Sequence, residues 1–249
     1  MIKLVPITGL PEVTPGESPG VLIARALSHL SLTPLPTDVL VVAQKIISKA
    51  ENRLVRLETV EPSEAAVATA SELGNRDPRL IELVLRESRR IVRTGHGVLI
   101  VETHHGFICA NAGVDLSNVA GGSTASLLPV DPDVSAARIA AELHAVKGVN
   151  IPVLISDTFG RPWREGLVDV AIGVHGLSAT RDHRDHRDAY GYKLRATVMA
   201  EADQLAAAAG LIFRKTARVP ACLIRGFEFQ SGNGKARDLL RNPEHDLFR

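Results

Sequence analysis

Ile151-Pro152-Val153-Leu154-Ile155-Ser156-Asp157-Thr158-Phe159-Gly160-Arg161-Pro162-Trp163-Arg164 is the stretch on which the reading of this chain turns. The run Ile151 to Ile155 has the length and apolar content of a buried strand. An acid, a hydroxyl and a glycine follow, then a proline and the only tryptophan, so the strand is predicted to stop at Ile155. That ending puts Asp157 and Thr158 at the rim of a sheet, where α/β proteins usually hold ligands. An Asp-Thr pair offers hard oxygens to a magnesium-like ion. Arg161 and Arg164 can grip phosphate or carboxylate; a polar turn with two solvated arginines is the other reading, and the residues alone leave both open.

Working outward, Val168 to Val174 reads as a further strand, Glu201 to Phe213 as an alanine-packed helix and Val219 to Gly226 as a last buried strand. Between them, Arg181 to Asp188 carries two copies of Asp-His-Arg. Its three arginines would repel a cation, so a solvated, mobile loop with internal ion pairs is expected rather than a metal cluster. Leu194 to Met199 is a strand candidate. Upstream, Ile2 to Ile7 reads as a strand, and Ser18-Pro19 opens a helix through His29, with proline in the first turn as helices allow. Val39 to Val42 is a β-rich run leading into Ala43-Gln44-Lys45-Ile46-Ile47-Ser48-Lys49-Ala50-Glu51. Two lysines four apart after a buried strand either meet a phosphate or lie solvated on a turn.

Ser63 is placed as the cap of a helix to Leu73, and Asp77-Pro78 starts another to about Arg90. Most of the cations Arg86, Arg89, Arg90 and Arg93 are then read as charges near that helix's C-terminus. Val98 to Glu102 and Phe107 to Ala110 form a predicted hairpin, with His104-His105-Gly106 as an exposed turn rather than a metal site. After it comes polar Asn111-Ala112-Gly113-Val114-Asp115-Leu116-Ser117-Asn118-Val119, where Asp115 is a second candidate metal carboxylate. Leu127-Leu128-Pro129-Val130-Asp131-Pro132-Asp133 introduces a helix from about Ser135 to Lys147, with Asp133 as a candidate cap or site acid.

The 249 residues suit one large domain or two closely joined ones. A 45% hydrophobic fraction with only 4% aromatics implies a core of Val, Leu, Ile and Ala. A net charge of +1 gives no nucleic-acid or membrane footprint, and no apolar run is long enough to span a bilayer. The N-terminus does not resemble a signal peptide. A cytoplasmic protein is expected. Cys109 and Cys222 sit in apolar contexts and are expected as free buried thiols. No Walker A loop, Gly-x-Gly-x-x-Gly fingerprint or Gly-x-Ser-x-Gly elbow is present.

What remains is a constellation. Acid-bearing loops at Asp115, Asp157-Thr158 and Asp131 to Asp133 follow apolar strands, and Lys45 and Lys49 follow another. Carboxylates and lysines around hard cations are the parts of phosphoryl transfer, where positioning and charge neutralisation do most of the catalysis. The residues do not select the acceptor.

The runs Ala43 to Glu51, Asn111 to Val119, Leu127 to Asp133 and Ser156 to Arg164, in that order, resemble the coenzyme F420-0:L-glutamate ligase (γ-glutamyl ligase) family. The likeness extends from Leu4 to about Gly226. It implies an α+β fold peculiar to the family, with a mixed sheet, flanking helices and an intertwined homodimer. It further implies a ligase dependent on GTP and on Mg2+ or Mn2+, which joins L-glutamate to coenzyme F420-0 through an acyl phosphate and extends the γ-linked tail. Carried over by resemblance, Leu10, Pro11, Glu12, Val13, Gln44, Lys45, Lys49, Asn118 and Lys215 serve the nucleotide, and Asp115, Asp157 and Thr158 the metal. Asp115, Asp157 and Lys49 are then the catalytic set. Two departures stand out: Lys215 occupies a position where some relatives offer a carboxylate, and no nitroreductase-like domain follows. The expected organisation is a ligase domain over residues 1–230 and a tail over 231–249. A same-fold ligase with another acceptor acid, or a catalytically silent nucleotide- or deazaflavin-binding protein, are the alternatives.

Overall fold

A computed structural model describes residues 1–119, 122–214 and 217–247. In chain order it contains β1 (Lys3–Ile7), α1 (Pro19–His29), β2 (Val39–Ala43), α2 (Gln44–Ala50), β3 (Leu54–Arg56), α3 (Glu64–Glu72) and α4 (Pro78–Arg86). Next come β4 (Ser88–Gly95), β5 (Val98–Thr103), β6 (Ile108–Ala110), β7 (Thr124–Ser126), α5 (Pro132–Lys147), β8 (Val153–Arg161) and β9 (Arg164–His175). The chain closes with β10 (Arg181–Asp182), β11 (Val198–Met199), α6 (Glu201–Phe213) and β12 (Ala221–Arg225). This is the mixed α+β architecture expected.

The main sheet has five strands in the order β1-β12-β2-β8-β9. Its one parallel pairing joins β2 to β8, in register from Leu40 with Val153 to Ala43 with Ser156; the other pairings are antiparallel. A parallel pair requires a crossover, and here residues 44 to 152 provide it. Val39 to Val42, Val153 to Ile155 and Ala221 to Ile224 are buried along their whole length, as continuous apolar runs should be when both faces are covered. Ile23 and Leu27 of α1, Ile139 and Leu143 of α5, and Ala202, Leu205, Ala206 and Ala209 of α6 complete that core. Gly20 permits the close crossing of α1 on α5: a Cβ there would stand 2.7 Å from the Ile139 carbonyl.

The crossover builds a second region beside the sheet. A three-stranded sheet, β4-β5-β6, and the β3-β7 pair enclose two smaller apolar clusters, one around Ile81, Val84, Leu99 and Val101 and one around Leu57, Leu83 and Leu127. Ser63 caps α3 through the Ala66 N–H, as read from sequence.

Several expectations change. Strand β8 does not stop at Ile155; it continues through Asp157 and Thr158 to Arg161, paired with β9 well beyond the last β2 partner. Pro162 and Trp163 are the hairpin turn, with Trp163 at a φ of 56°. Polar residues do not break a strand that a neighbour continues to pair, and β9 pairs with β8 from Val153 to Arg161. Residues 44 to 50 form a helix rather than a turn, despite the β-branched Ile46 and Ile47, because both side chains are buried. Helix α4 ends at Arg86, so Arg89, Arg90 and Arg93 belong to β4, where all three are exposed. The strand expected over Leu194 to Met199 shrinks to β11. Asp131, not Asp133, caps α5 by accepting from the Val134 N–H at 3.0 Å. Asp133 instead accepts from the N–H groups of Val174 and Ala236 at 2.8 and 3.1 Å. That contact ties the tail to β9, and Ala236 is part of the core. No helix among the described residues is long and apolar enough to cross a membrane.

Candidate active site

The parallel pair β2-β8 sets the site. The β2-β8 pairing ends with Ala43 opposite Ser156, so Gln44 and Lys45 of the following helix and Asp157, where β8 runs on past β2, lie at the same end of that pairing. This is where ligands enter sheets with parallel strands. Helix α2 then carries Lys45 and Lys49 one turn apart, on neighbouring positions of its surface.

Asp115 reaches the same place from the crossover. Its main chain exchanges two hydrogen bonds with Ser126, at 3.1 and 2.8 Å, a separate bridge to β7, whose Ser126 also pairs with Leu54 of β3. Its carboxylate accepts from Lys45 Nζ at 2.5 Å and from the Ser117 N–H and Oγ at 2.8 and 2.6 Å. Lys45 also donates to the Ser117 carbonyl at 2.9 Å. Burial draws the Asp115 pKa up, but the Lys45 and Ser117 hydrogen bonds outweigh it and hold the carboxyl below its ordinary range.

Asp157 has the opposite character. Burial pushes its carboxyl up to about 6, with the charges of Asp115 and Asp169 adding to the shift and the Thr158 N–H and Lys45 opposing it. The residue as a whole keeps partial exposure while its carboxyl group is enclosed. Beside it, the Ser156 hydroxyl is buried without a hydrogen-bond partner. Two carboxylates of contrasting affinity for protons thus share the charge of one lysine.

Lys49 is only 9% exposed, and its ammonium is held by Glu12 from the loop after β1. Leu10 and Val13 of that loop pack against or within the main core; Pro11 is exposed. Gln44 is buried and accepts from Ser48 Oγ at 2.7 Å, so its side chain braces α2. Asn118 adopts a φ of 55° in the loop after Asp115. The structure therefore gathers Lys45, Asp115 and Asp157, with Lys49 and Glu12 on the adjoining turn. Lys215 lies outside the described residues.

Thr158 is placed differently. Successive strand side chains face opposite sides, and the Thr158 hydroxyl donates to Asp169 across the ladder at 3.0 Å. Asp157 faces the other way, close enough to Cys109 of β6 to raise that thiol further after burial, to about 12. Arg161 and Arg164 sit at the far end of the hairpin, where Arg161 donates to the Glu165 carbonyl at 2.8 Å. Four residues of strand put Arg161 roughly 13 Å from Asp157. Asp131 and Asp133 are both engaged in structural hydrogen bonds and do not join the site.

Asp169 and Asp203 were not read from the sequence. Asp169 hides in the apolar run Val168 to Val174; an acid inside a buried strand was the available signal. Asp203 accepts from the Ala171 N–H at 2.9 Å, and burial raises its pKa.

The donor set suits a small hard dication. Among the described residues, no group of three His, Cys, Asp or Glu stands together to hold a metal. Asp115 and Asp157 supply two carboxylates, and magnesium commonly takes one or two carboxylates and fills its shell with water and substrate phosphate. A concavity of about 560 Å3 lies elsewhere, on Asp182, Arg184, Asp185, Lys193 and Arg195. Its Arg184 and Lys193 are already paired with Asp182 and Asp185 at 2.5 and 2.7 Å.

Comparison with known proteins places the chain in a family. Residues 8–226 match the family described as F420-0:Gamma-glutamyl ligase. The chain belongs to that family. It is 45% identical over 251 residues to the coenzyme F420:L-glutamate ligase of Methanothermobacter thermautotrophicus, covering 100% of this chain and 99% of the relative. It is 40% identical over 253 residues to the enzyme of that name from Methanopyrus kandleri, covering 100% and 98%. The Methanocaldococcus jannaschii enzyme of that name is 40% identical over 213 residues, 85% of this chain and 84% of the relative. The family resemblance seen in the sequence is thereby borne out, and the gathered cluster lies within the matched residues.

Proposed function

We propose that this protein is an amide-forming ligase that joins L-glutamate to coenzyme F420-0, using GTP and Mg2+ or Mn2+, and that it lengthens the γ-linked tail. The observation that carries this reading is the convergence of Lys45, Asp115 and Asp157 at the carboxyl edge of the β2-β8 pair. The names of the relatives supply the substrates. A bound dication would be held by Asp115 and Asp157 and would neutralise charge between carboxylate and polyphosphate.

Chemically, an oxygen of the F420-0 carboxylate attacks the γ-phosphorus of GTP. The bond to the β,γ-bridging oxygen breaks, and GDP leaves with that electron pair. The free amine of glutamate then attacks the acyl carbon, phosphate departs, and the proton lost by nitrogen passes to solvent. Lys45 and Lys49 suit the phosphates: each is held by a carboxylate that a polyphosphate can replace. Lys45 also stabilises Asp115 in its charged form. A homodimer belongs to the same reading, and light scattering on the purified protein tests it separately.

The deciding assay combines purified protein, GTP, Mn2+, L-glutamate and F420-0, with product masses read by mass spectrometry. Glutamyl adducts that require both GTP and Mn2+ and vanish in Asp157→Asn are the expected result. GDP release without adduct would refute the assigned acceptor, and adducts formed without nucleotide would refute the phosphoryl route.

A further inference from the structure

Beyond Ser156, β8 has lost β2 as a neighbour. The segment bearing Asp157 is supported laterally by β9, and there Asp169 stands directly across from Thr158. Its Oδ1 accepts the Thr158 hydroxyl at 3.0 Å. The other oxygen rests on α6, where a Cβ at Gly210 would come within 2.0 Å of Asp169 Oδ2. No real side chain tolerates that approach, so glycine at 210 is what seats the carboxylate. Seven residues earlier, two turns back along the same helix face, Asp203 holds the Ala171 N–H at 2.9 Å. Helix α6 thus grips β9 on both sides of residue 170.

An acid between Val168 and Val170 in a half-buried strand costs desolvation that an apolar residue would avoid. What it provides is a fixed link from α6 through Asp169 to Thr158, adjacent to Asp157. We propose that Asp169 is a positioning residue of the phosphoryl-transfer site, acting through the Thr158 hydroxyl to hold in place for a divalent cation the Asp157 segment of β8, which has lost β2 as a neighbour. This rests on the reading of Asp157 given above. The role requires an acceptor at position 169, not its charge. It assigns no metal contact to Asp169 itself.

Mn2+ alone, titrated into the nucleotide-free protein and followed by electron paramagnetic resonance, tests it. Loss of a residue that orients a metal ligand commonly weakens metal affinity 10- to 100-fold, so Asp169→Ala is expected to weaken Mn2+ binding about tenfold. Asp169→Asn keeps a carbonyl oxygen for Thr158 and is expected to stay within about twofold of the parent. Thr158→Val, which retains the β-branched shape, should match Asp169→Ala, and the double variant should be no weaker than either single one. Circular dichroism and thermal melting establish that each variant is folded. Should Asp169→Ala not fold, Thr158→Val and Asp169→Asn carry the comparison. Asn behaving like Ala would overturn the proposal in favour of charge, and additive losses would overturn the route through Thr158. Unchanged affinity in Asp169→Ala and Thr158→Val, with a loss in Asp157→Asn, overturns positioning and leaves the phosphoryl-transfer reading standing. Unchanged affinity in all three overturns both.

Discussion

Replacing Asp157 with asparagine should stabilise the metal-free protein while abolishing its activity. The Asp157 carboxyl is pushed from the ordinary 3.8 up to about 6, chiefly by burial. A carboxyl with a raised folded pKa binds its proton more tightly in the folded chain than in the unfolded one. Stability therefore declines as pH rises from about 4 through 6 and levels off above. A shift of about two units at 1.36 kcal/mol each corresponds to roughly 3 kcal/mol lost by pH 7. Asparagine has nearly the same shape and cannot ionise, so the variant should lack this slope. Near pH 7 its melting temperature should exceed that of the parent by roughly 6–12 °C for a chain of this size; at pH 3.5 the two should nearly coincide. Asp115 does not confuse the window: its pKa is lowered, so its contribution is lost only as pH falls below about 4. Urea unfolding in EDTA from pH 3.5 to 8 measures the difference directly. Parallel stability curves for parent and variant across that range would refute the enclosed state assigned to the Asp157 carboxyl. Added Mn2+ should raise the parent's melting temperature and leave the variant unmoved.

Lys49→Ala should weaken GTP binding by about 10- to 100-fold, the range for a charge-assisted hydrogen bond of 1.5–3 kcal/mol, as read by calorimetry. It should cost little stability, because its partner Glu12 is 77% exposed by side chain and readily resolvated. Asp38, fully buried, holds Arg225 through two hydrogen bonds of 2.8 and 2.7 Å at the start of β2 and also accepts the Leu35 N–H; Asp38→Ala removes these charge-assisted bonds and should cost about 3 kcal/mol in urea unfolding. Burial holds the Cys109 and Cys222 thiols up at about 12 and 11, so iodoacetamide at pH 8 should label neither in the folded protein and both in urea, as counted by mass spectrometry.

Much of this was legible in the residues themselves. The apolar runs at 39–42, 151–155 and 221–224 announced the core strands, because strands buried on both faces leave no polar positions. Pro19, Ser63 and Pro78 marked the starts of three helices, since capping and proline geometry act over one turn and need no distant partner. The order of the motifs gave the family, and the types of residue in them gave the chemistry. Tertiary structure decided the rest. Only the parallel pairing of β2 with β8 brings Lys45 beside Asp157, over a hundred residues away, and only the β3-β7 ladder delivers Asp115 to them. Asp131 and Asp133 form a further acid-bearing loop in the sequence, yet one caps α5 and the other ties β9 to the tail. Asp169 was passed over within an apolar run and became a partner of Thr158 once the hairpin register was set. A carboxylate's type is written in the chain, but its proton affinity and partners follow from burial and neighbours that folding supplies.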